Sequence, residues 1–267
     1  SLKRSSVFAR FVAASGAALR LALRSSDPKT LLKAPLGVDK RAVWSHPIPL
    51  EALKRNDVGL QATVNDLVLT AVTGGLRRYL ERRGEAVEGL DLRAVVPVNL
   101  RPIEQMADLG NRFGVVFLSL PVGIADPLAR LAEIRLRMRS LRRSAEPLAS
   151  FGLLKLIGWA PYLVQRAAVR LFATKATAVM TNVPGPIRTL YLGGKPLRGI
   201  VFWVPQAGRV SLGVSICSYA GQVRVGIATD AGQVPDPSEI VEYFHDELGQ
   251  LRRREPSPQT PDERKNA

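Results

Sequence analysis

Residues Thr63–Gly84 read TVNDLVLTAVTGGLRRYLERRG, and this stretch sets the architecture of the chain. Both of its ends carry helix signals. Thr63 is a candidate N-cap, and Asp66, three residues on, can return a hydrogen bond to it as in a capping box. Asn65 is the rival cap, with Asp66 then in the first turn at the positive end of the helix dipole. Leu67, Val68, Ala71, Val72, Leu76, Tyr79 and Leu80 fall on one broad apolar face at helical spacing. Arg77, Arg78, Arg82 and Arg83 crowd the last turns, and Gly84 suits a left-handed closing residue. Gly74 and Gly75 each cost roughly 1 kcal/mol against Ala inside a helix, so the spacing predicts a close backbone approach by a neighbour. The helix is expected to be buried along its length, with its Asn65–Asp66 end at a cleft.

Upstream, residues 3–24 read as a basic amphipathic helix with Phe8, Phe11 and Leu19 on one side and Arg4, Arg10 and Arg20 on the other. Residues 25–47 read as a loose linker, and Ile48–Arg55 as a strand and short helix. Downstream, Leu92–Asn99 is a buried strand whose Pro97 favours a bulge or an edge. GNRFG (Gly110–Gly114) leads into a strand at Val115–Leu120, with a turn role expected for its glycines. Asp126-Pro127 opens a helix carrying Leu128, Leu131, Ile134, Met138 and Leu141 inward, with the arginines of 130–143 opposite as a solvated face or, alternatively, an attraction for an anionic partner. Residues 147–172 read as two helices broken near Pro161; Lys155, Arg166 and Arg170 argue against a bilayer span and for a core or interfacial position.

The remainder turns to strands. Ala176–Val183 is stopped by Pro184-Gly185-Pro186, Leu190–Val204 carries a Gly193-Gly194 turn, and Ser211–Tyr219 with Gln222–Asp230 forms a hairpin about Ala220-Gly221. A last helix runs from Asp236-Pro237 to about Arg252 with Ile240, Val241, Phe244, Leu248 and Leu251 inward. Three spans are expected: a basic helix and linker over 1–47, a domain over 48–252, and a polar, disordered tail over 253–267. The class is α/β (α+β), a mixed sheet flanked by helices.

Composition narrows the function. The hydrophobic share of 46% is ordinary for a globular chain, whereas 38 Lys+Arg against 23 Asp+Glu give a net charge of +15. Such a surplus suits an anionic partner, or solvated basic helix faces. Nucleic acid is disfavoured, since 8 Phe, 5 Tyr and 3 Trp show no interleaving with the basic residues. Cys217 is the only cysteine, so no disulfide frame or thiolate metal site is expected, and its apolar strand context reads as a buried, inert thiol in a reducing compartment. No run of about 20 apolar residues is present, so no membrane-spanning helix is expected.

TVNDLVL, GNRFG, TNVPGP and SYAGQVRVGIATD…VPDP, in this order, resemble the C-terminal half of the bacterial wax ester synthase/diacylglycerol acyltransferase family, over about Lys33 to Leu251. The resemblance implies a chloramphenicol-acetyltransferase-like fold of two similar halves with the active site in a tunnel between them. It also implies transfer of a fatty acyl group from acyl-CoA to diacylglycerol or a long-chain alcohol. The family's general base is the second His of an N-terminal His-His-x-x-x-Asp-Gly motif. This sequence has only His46 and His245, and neither lies in such a motif; surface or helix-capping roles are expected for both. The base is therefore expected from an N-terminal half or a His-bearing partner chain, with this chain alone inactive.

Thr181-Asn182-Val183-Pro184-Gly185-Pro186 matches the family's Ser-Asn-Val-Pro-Gly-Pro with the hydroxyl kept. The prolines lack N–H groups and are expected to leave a rigid loop with free donors at Thr181 and Asn182. Either residue then stabilises the tetrahedral oxyanion or orients the thioester, or the turn only shapes the tunnel wall. Asn65 and Asp66 match the family's Asn-Asp motif at the tunnel, Asn111 and Arg112 hold a loop or meet the CoA phosphates, and Pro184, Gly185 and Pro186 shape the wall. The arginines of 130–143 form a solvated face or, alternatively, attract CoA or anionic lipid. No metal or prosthetic group is expected, acyl-CoA being a substrate. The expected setting is cytoplasmic, peripheral at an anionic inner membrane or lipid droplet. The alternatives are a non-catalytic lipid- or partner-binding subunit, or half of another CoA- or carrier-dependent acyltransferase such as a condensation-type domain.

Overall fold

The computed structural model describes residues 23–54, 62–101, 112–206 and 208–253. The amphipathic helix read over 3–24 and the tail read over 253–267 lie almost wholly outside the described residues. Nine strands are seen among these residues: β1 (Lys40–Trp44), β2 (Ile48–Pro49), β3 (Leu92–Asn99), β4 (Phe113–Leu120), β5 (Ala178–Pro184), β6 (Tyr191–Leu192), β7 (Lys195–Pro196), β8 (Leu212–Tyr219) and β9 (Gln222–Asp230). The helices are α1 (Val64–Arg82), α2 (Pro127–Arg143), α3 (Glu146–Trp159), α4 (Tyr162–Ala173) and α5 (Pro237–Arg253). Seven strands make one mixed sheet in the order β1-β9-β8-β5-β3-β4, with β2 also on β9; β6 and β7 form a separate small hairpin. β3, β5 and β8 run parallel, and the outer pairs are antiparallel.

The sheet reaches further back than the sequence reading allowed. Lys40–Trp44 pairs with Gly226–Asp230, so the stretch expected to be a linker supplies an edge strand. Leu32 is fully buried, and Asp27 accepts from the Arg93 N–H and the Thr177 hydroxyl beneath the sheet. The alternation of Arg41, Ala42, Val43 and Trp44 was too weak to read without the β9 partner.

α1 forms as its end signals dictate. Thr63 is the N-cap, its hydroxyl accepts from Asp66 N at 3.2 Å, and the Asp66 carboxylate accepts from Thr63 N at 3.0 Å. Gly84 has φ +79°, the left-handed closure. Both internal glycines mark close approaches. A Cβ on Gly75 would lie 3.1 Å from the Ile240 carbonyl and Phe244 N of α5, and one on Gly74 would run into Arg130 and Glu247. Arg130 is correspondingly not on a solvated face: it is fully buried and paired with Glu247.

α1, α2 and α5 cover one face of the sheet, and their apolar residues join Ala94, Leu118, Ala178, Met180, Val214 and Ile227 in the main core. The opposite face holds a small cluster of Phe117 and Ala176 with Val95 and Phe172, under α3 and α4. Gly114 lies within β4, not in a turn. A Cβ there would strike the Pro147 carbonyl, so close packing of α3 requires the glycine. The break at Pro161 separates α3 from α4 as expected.

Candidate functional site

The carboxyl ends of β3, β5 and β8 point the same way, and the N-terminus of α1 meets them there. That edge is where open α/β sheets place ligands. β3 and β5 share only the pairs Ala94–Ala178 and Val95–Val179, then part. This explains why Pro97 is tolerated inside β3: beyond Val95 that side of the strand has no ladder to break.

Strand alternation decides which motif residues enter the cleft. Ala178 and Met180 face the core beneath α1, so Asn182 and Pro184 follow on the same face, while Thr181 and Val183 face the other way. Asn182 Nδ2 donates to Asn65 Oδ1 at 2.8 Å, joining motifs 117 residues apart in sequence. Around this pair opens a cleft of about 250 Å³ lined by Leu50, Val64, Asn65, Asn182, Pro184, Ile216, Ser218 and Val223.

The loop is not as free as the sequence suggested. β5 continues through Pro184 and pairs with Ser215–Ser218, so Thr181 and Asn182 sit in a strand. Gly185 N donates to the Ser218 carbonyl at 2.8 Å, and Ala220 N to the Pro186 carbonyl at 3.0 Å, which staples the Pro-Gly-Pro turn to the β8–β9 hairpin. A Cβ on Gly185 would collide with the Ser218 carbonyl, so only glycine fits. Ser218 is the polar lining residue that the sequence reading did not single out; its register opposite Pro184 is a property of the sheet.

The remaining expected site residues are placed as follows. Asp66 is buried and bonded into the cap, and it does not line the cleft. Arg112 is exposed before β4, its carbonyl accepting from Leu100 N at 3.0 Å. Asn111 lies outside the described residues. Gly185 and Pro186 shape the staple, and Pro184 alone of the three lines the cleft.

The histidines do not serve this cleft. His46 and His245 face each other with ring centroids 5.7 Å apart in a separate pocket with Ile48, Leu248 and Arg252. Neither occupies a cap: His46 is exposed before Pro47, and His245 is half-buried in α5 against Phe244. Burial, then the neighbouring His46, hold the His245 pKa below its ordinary value, with Asp246 acting against them. Cys217 is buried in β8, and burial pushes its thiol up, as expected for an inert sulfur.

None of the cleft residues titrates near neutrality. Their amides and hydroxyl can orient a substrate and donate to developing negative charge at the positive end of α1. They cannot remove a proton from an alcohol.

Comparison with known proteins places this geometry in a family. The model of the WS/DGAT C-terminal domain matches residues 109–252. The chain belongs to the WS/DGAT family. A Mycobacterium tuberculosis protein named as a diacylglycerol O-acyltransferase is 30% identical over 237 residues, covering 84% of this chain and 46% of that protein. One from Mycobacterium bovis is 28% identical over 243 residues, covering 90% and 52%. This WS/DGAT chain thus spans about half the length of the curated relatives it matches. The wax ester synthase/diacylglycerol acyltransferase from Marinobacter aquaeolei VT8 has the same fold, with a TM-score of 0.65 at 21% identity, over 89% of this chain and 54% of that one. A structure of condensation-domain-mediated chain release from the enacyloxin polyketide synthase follows with TM-score 0.56, 14% identity, and 95% and 49% coverage. The expected chloramphenicol-acetyltransferase-like mixed α/β fold is therefore present.

Proposed function

We propose that this chain is the C-terminal half of a lipid O-acyltransferase that moves a fatty acyl group from acyl-CoA to diacylglycerol or a long-chain alcohol. The observation that carries the reading is the Asn182–Asn65 bond at the mouth of the cleft. The acceptor oxygen attacks the thioester carbon, the tetrahedral intermediate collapses with cleavage of the C–S bond, and the hydroxyl proton passes through a base to the departing CoA thiolate. Asn182, oriented by Asn65, donates to the oxyanion from the helix-side face. Thr181 leaves β5 on the other face, so it acts on the thioester indirectly, as a positioning residue that holds the strand presenting Asn182. Arg112 stands at the same sheet edge as a cation for the CoA phosphates. The base is a histidine of the N-terminal half or a partner chain, because no cleft residue here serves. The thioester is already an activated acyl group, so the chemistry calls for no metal or prosthetic group. The proposed setting is the cytoplasmic surface of an anionic inner membrane or a lipid droplet.

The test uses the longer protein that carries both halves, with release of free CoA as the readout. Asn182→Ala is expected to lower turnover by roughly 100-fold or more, the range for loss of one oxyanion donor, at unchanged melting temperature. Thr181→Val is expected to lower it by more than about tenfold. Unchanged rates in both would reduce the motif to tunnel wall. This chain by itself is expected to show no turnover; clear turnover would mean that it holds its own base. Salt-sensitive binding to anionic vesicles without transfer, even beside an N-terminal half, would instead favour a lipid-binding subunit, a reading supported by the apolar groove between α3, α4 and the sheet.

A further inference from the structure

We propose that the α3–α4 hairpin is an interfacial anchor whose tip inserts into an anionic lipid surface. The proposal takes its setting from the acyltransferase reading, but its test does not involve acyl transfer.

These helices are the least buried of the fold. α3 buries only Ala149 and Ser150, and α4 buries no residue. At the tip, Trp159 is 85% exposed, Tyr162 70% and Leu163 74%, with Leu156 66% exposed behind them. A contiguous apolar patch of this kind marks an interaction surface.

Three features select lipid as the occupant. First, the carbonyls of Gly158, Ala160 and Pro161 at the tip are already bonded within the hairpin. Gln165 Nε2 donates to the carbonyls of Gly158 and Ala160 at 3.1 and 2.9 Å, Ala160 N bonds to Ile157 O, and the Pro161 carbonyl accepts from Val164 and Gln165 N. A turn that takes its polar groups out of water needs such partners; a turn that stays in water does not. Second, the aromatic pair sits at the tip, with the exposed Lys155 and Arg166 one turn back on the two helices, the layering that suits a headgroup boundary. Third, no aspartate or glutamate occurs between Pro147 and Thr229, so the whole region is complementary to negative charge. No helix of the described residues is long and apolar enough to cross a membrane, and 14- and 12-residue helices give a shallow insertion.

The experiment is sedimentation of the full chain with vesicles of phosphatidylcholine, with and without phosphatidylglycerol. Trp159→Asp with Leu163→Asp is expected to lower partitioning by more than about tenfold, and Tyr162→Asp repeats the test at a separate residue. Lys155→Gln and Arg166→Gln are expected to lower binding to the anionic vesicles by about fivefold each, with no effect on the neutral ones. Val38→Asp, at a side chain 95% exposed elsewhere, is expected to change nothing. The replaced side chains are exposed, so melting temperatures should hold. Unchanged partitioning of the tip variants would overturn the proposal; weakened capture of an N-terminal half by those variants would assign the tip to a protein partner. Vesicle binding that persists while the longer protein carrying both halves shows no acyl transfer keeps the anchor and removes the acyltransferase reading.

Discussion

Glu247→Gln removes the carboxylate paired with the buried Arg130, and its cost can be worked from the structure. Arg130 is fully buried and Glu247 is 5% exposed. Arg130 Nη2 bonds to Glu247, and Nη1 donates to the carbonyls of Ile124 and Ala125 at 2.8 and 3.2 Å. Burial lowers the guanidinium pKa, and Glu247 is the main force opposing that shift. Breaking a buried pair from one side leaves an uncompensated charge, at about 3–5 kcal/mol. For a domain of this size that corresponds to a melting temperature lower by roughly 6–20 °C. Arg130→Met should cost a similar amount. The double variant Arg130→Met, Glu247→Met should recover most of the loss, because apolar replacement of both partners is close to neutral. Gly74→Ala should also destabilise, by roughly 2–4 kcal/mol, since its new Cβ displaces both side chains and helix propensity returns only about 1 kcal/mol. The assay is thermal and guanidinium unfolding of the four variants. Single variants that cost under about 1 kcal/mol, or a double variant no better than the sum of the singles, would refute the claim that this pair clamps α1, α2 and α5.

Two further outcomes follow from local geometry. Thr63→Ala removes the hydroxyl that accepts from Asp66 N and should cost about 1 kcal/mol in urea unfolding; no change would mean that the cap does not hold the Asn65 end of α1. Asp230 is bonded to Lys40 Nζ at 2.6 Å and to the Gly37 and Gly232 N–H groups at 2.7 and 3.0 Å, and the Lys40 bond chiefly holds its pKa below the usual value. A depressed carboxylate stabilises the fold above its unfolded value near about 3.9, and that contribution is lost as pH falls through the folded pKa. Asp230→Asn should therefore be less stable than the parent at neutral pH, with the gap closing below about pH 4. A gap independent of pH would count against it.

Local signals were legible wherever neighbouring residues in sequence carried them. The capping box at Thr63 and Asp66, the proline at the start of α2 and the two-residue turn at Ala220-Gly221 need only a few consecutive residues, and all formed as read. The two glycines of α1 announced a close neighbour without naming it. β1 was missed because an edge strand draws its stability from a partner some 185 residues away and needs little pattern of its own. Arg130 was misread because spacing gives the face of a helix but not what covers that face.

The site divides in the same way. The order of four short motifs sufficed for the family and the fold, and it named Asn65 and Asn182, which folding brings into hydrogen-bond contact. Three matters belong to the tertiary structure alone. Pairing with β8 turns the expected loop into a strand, alternation sends Thr181 and Asn182 to opposite faces, and register brings Ser218 level with Pro184. Helix periodicity and caps are short-range physics that a sequence states directly. Which face meets which, and which strands part to leave a cleft, depends on contacts between distant segments, and those exist only once the chain has folded.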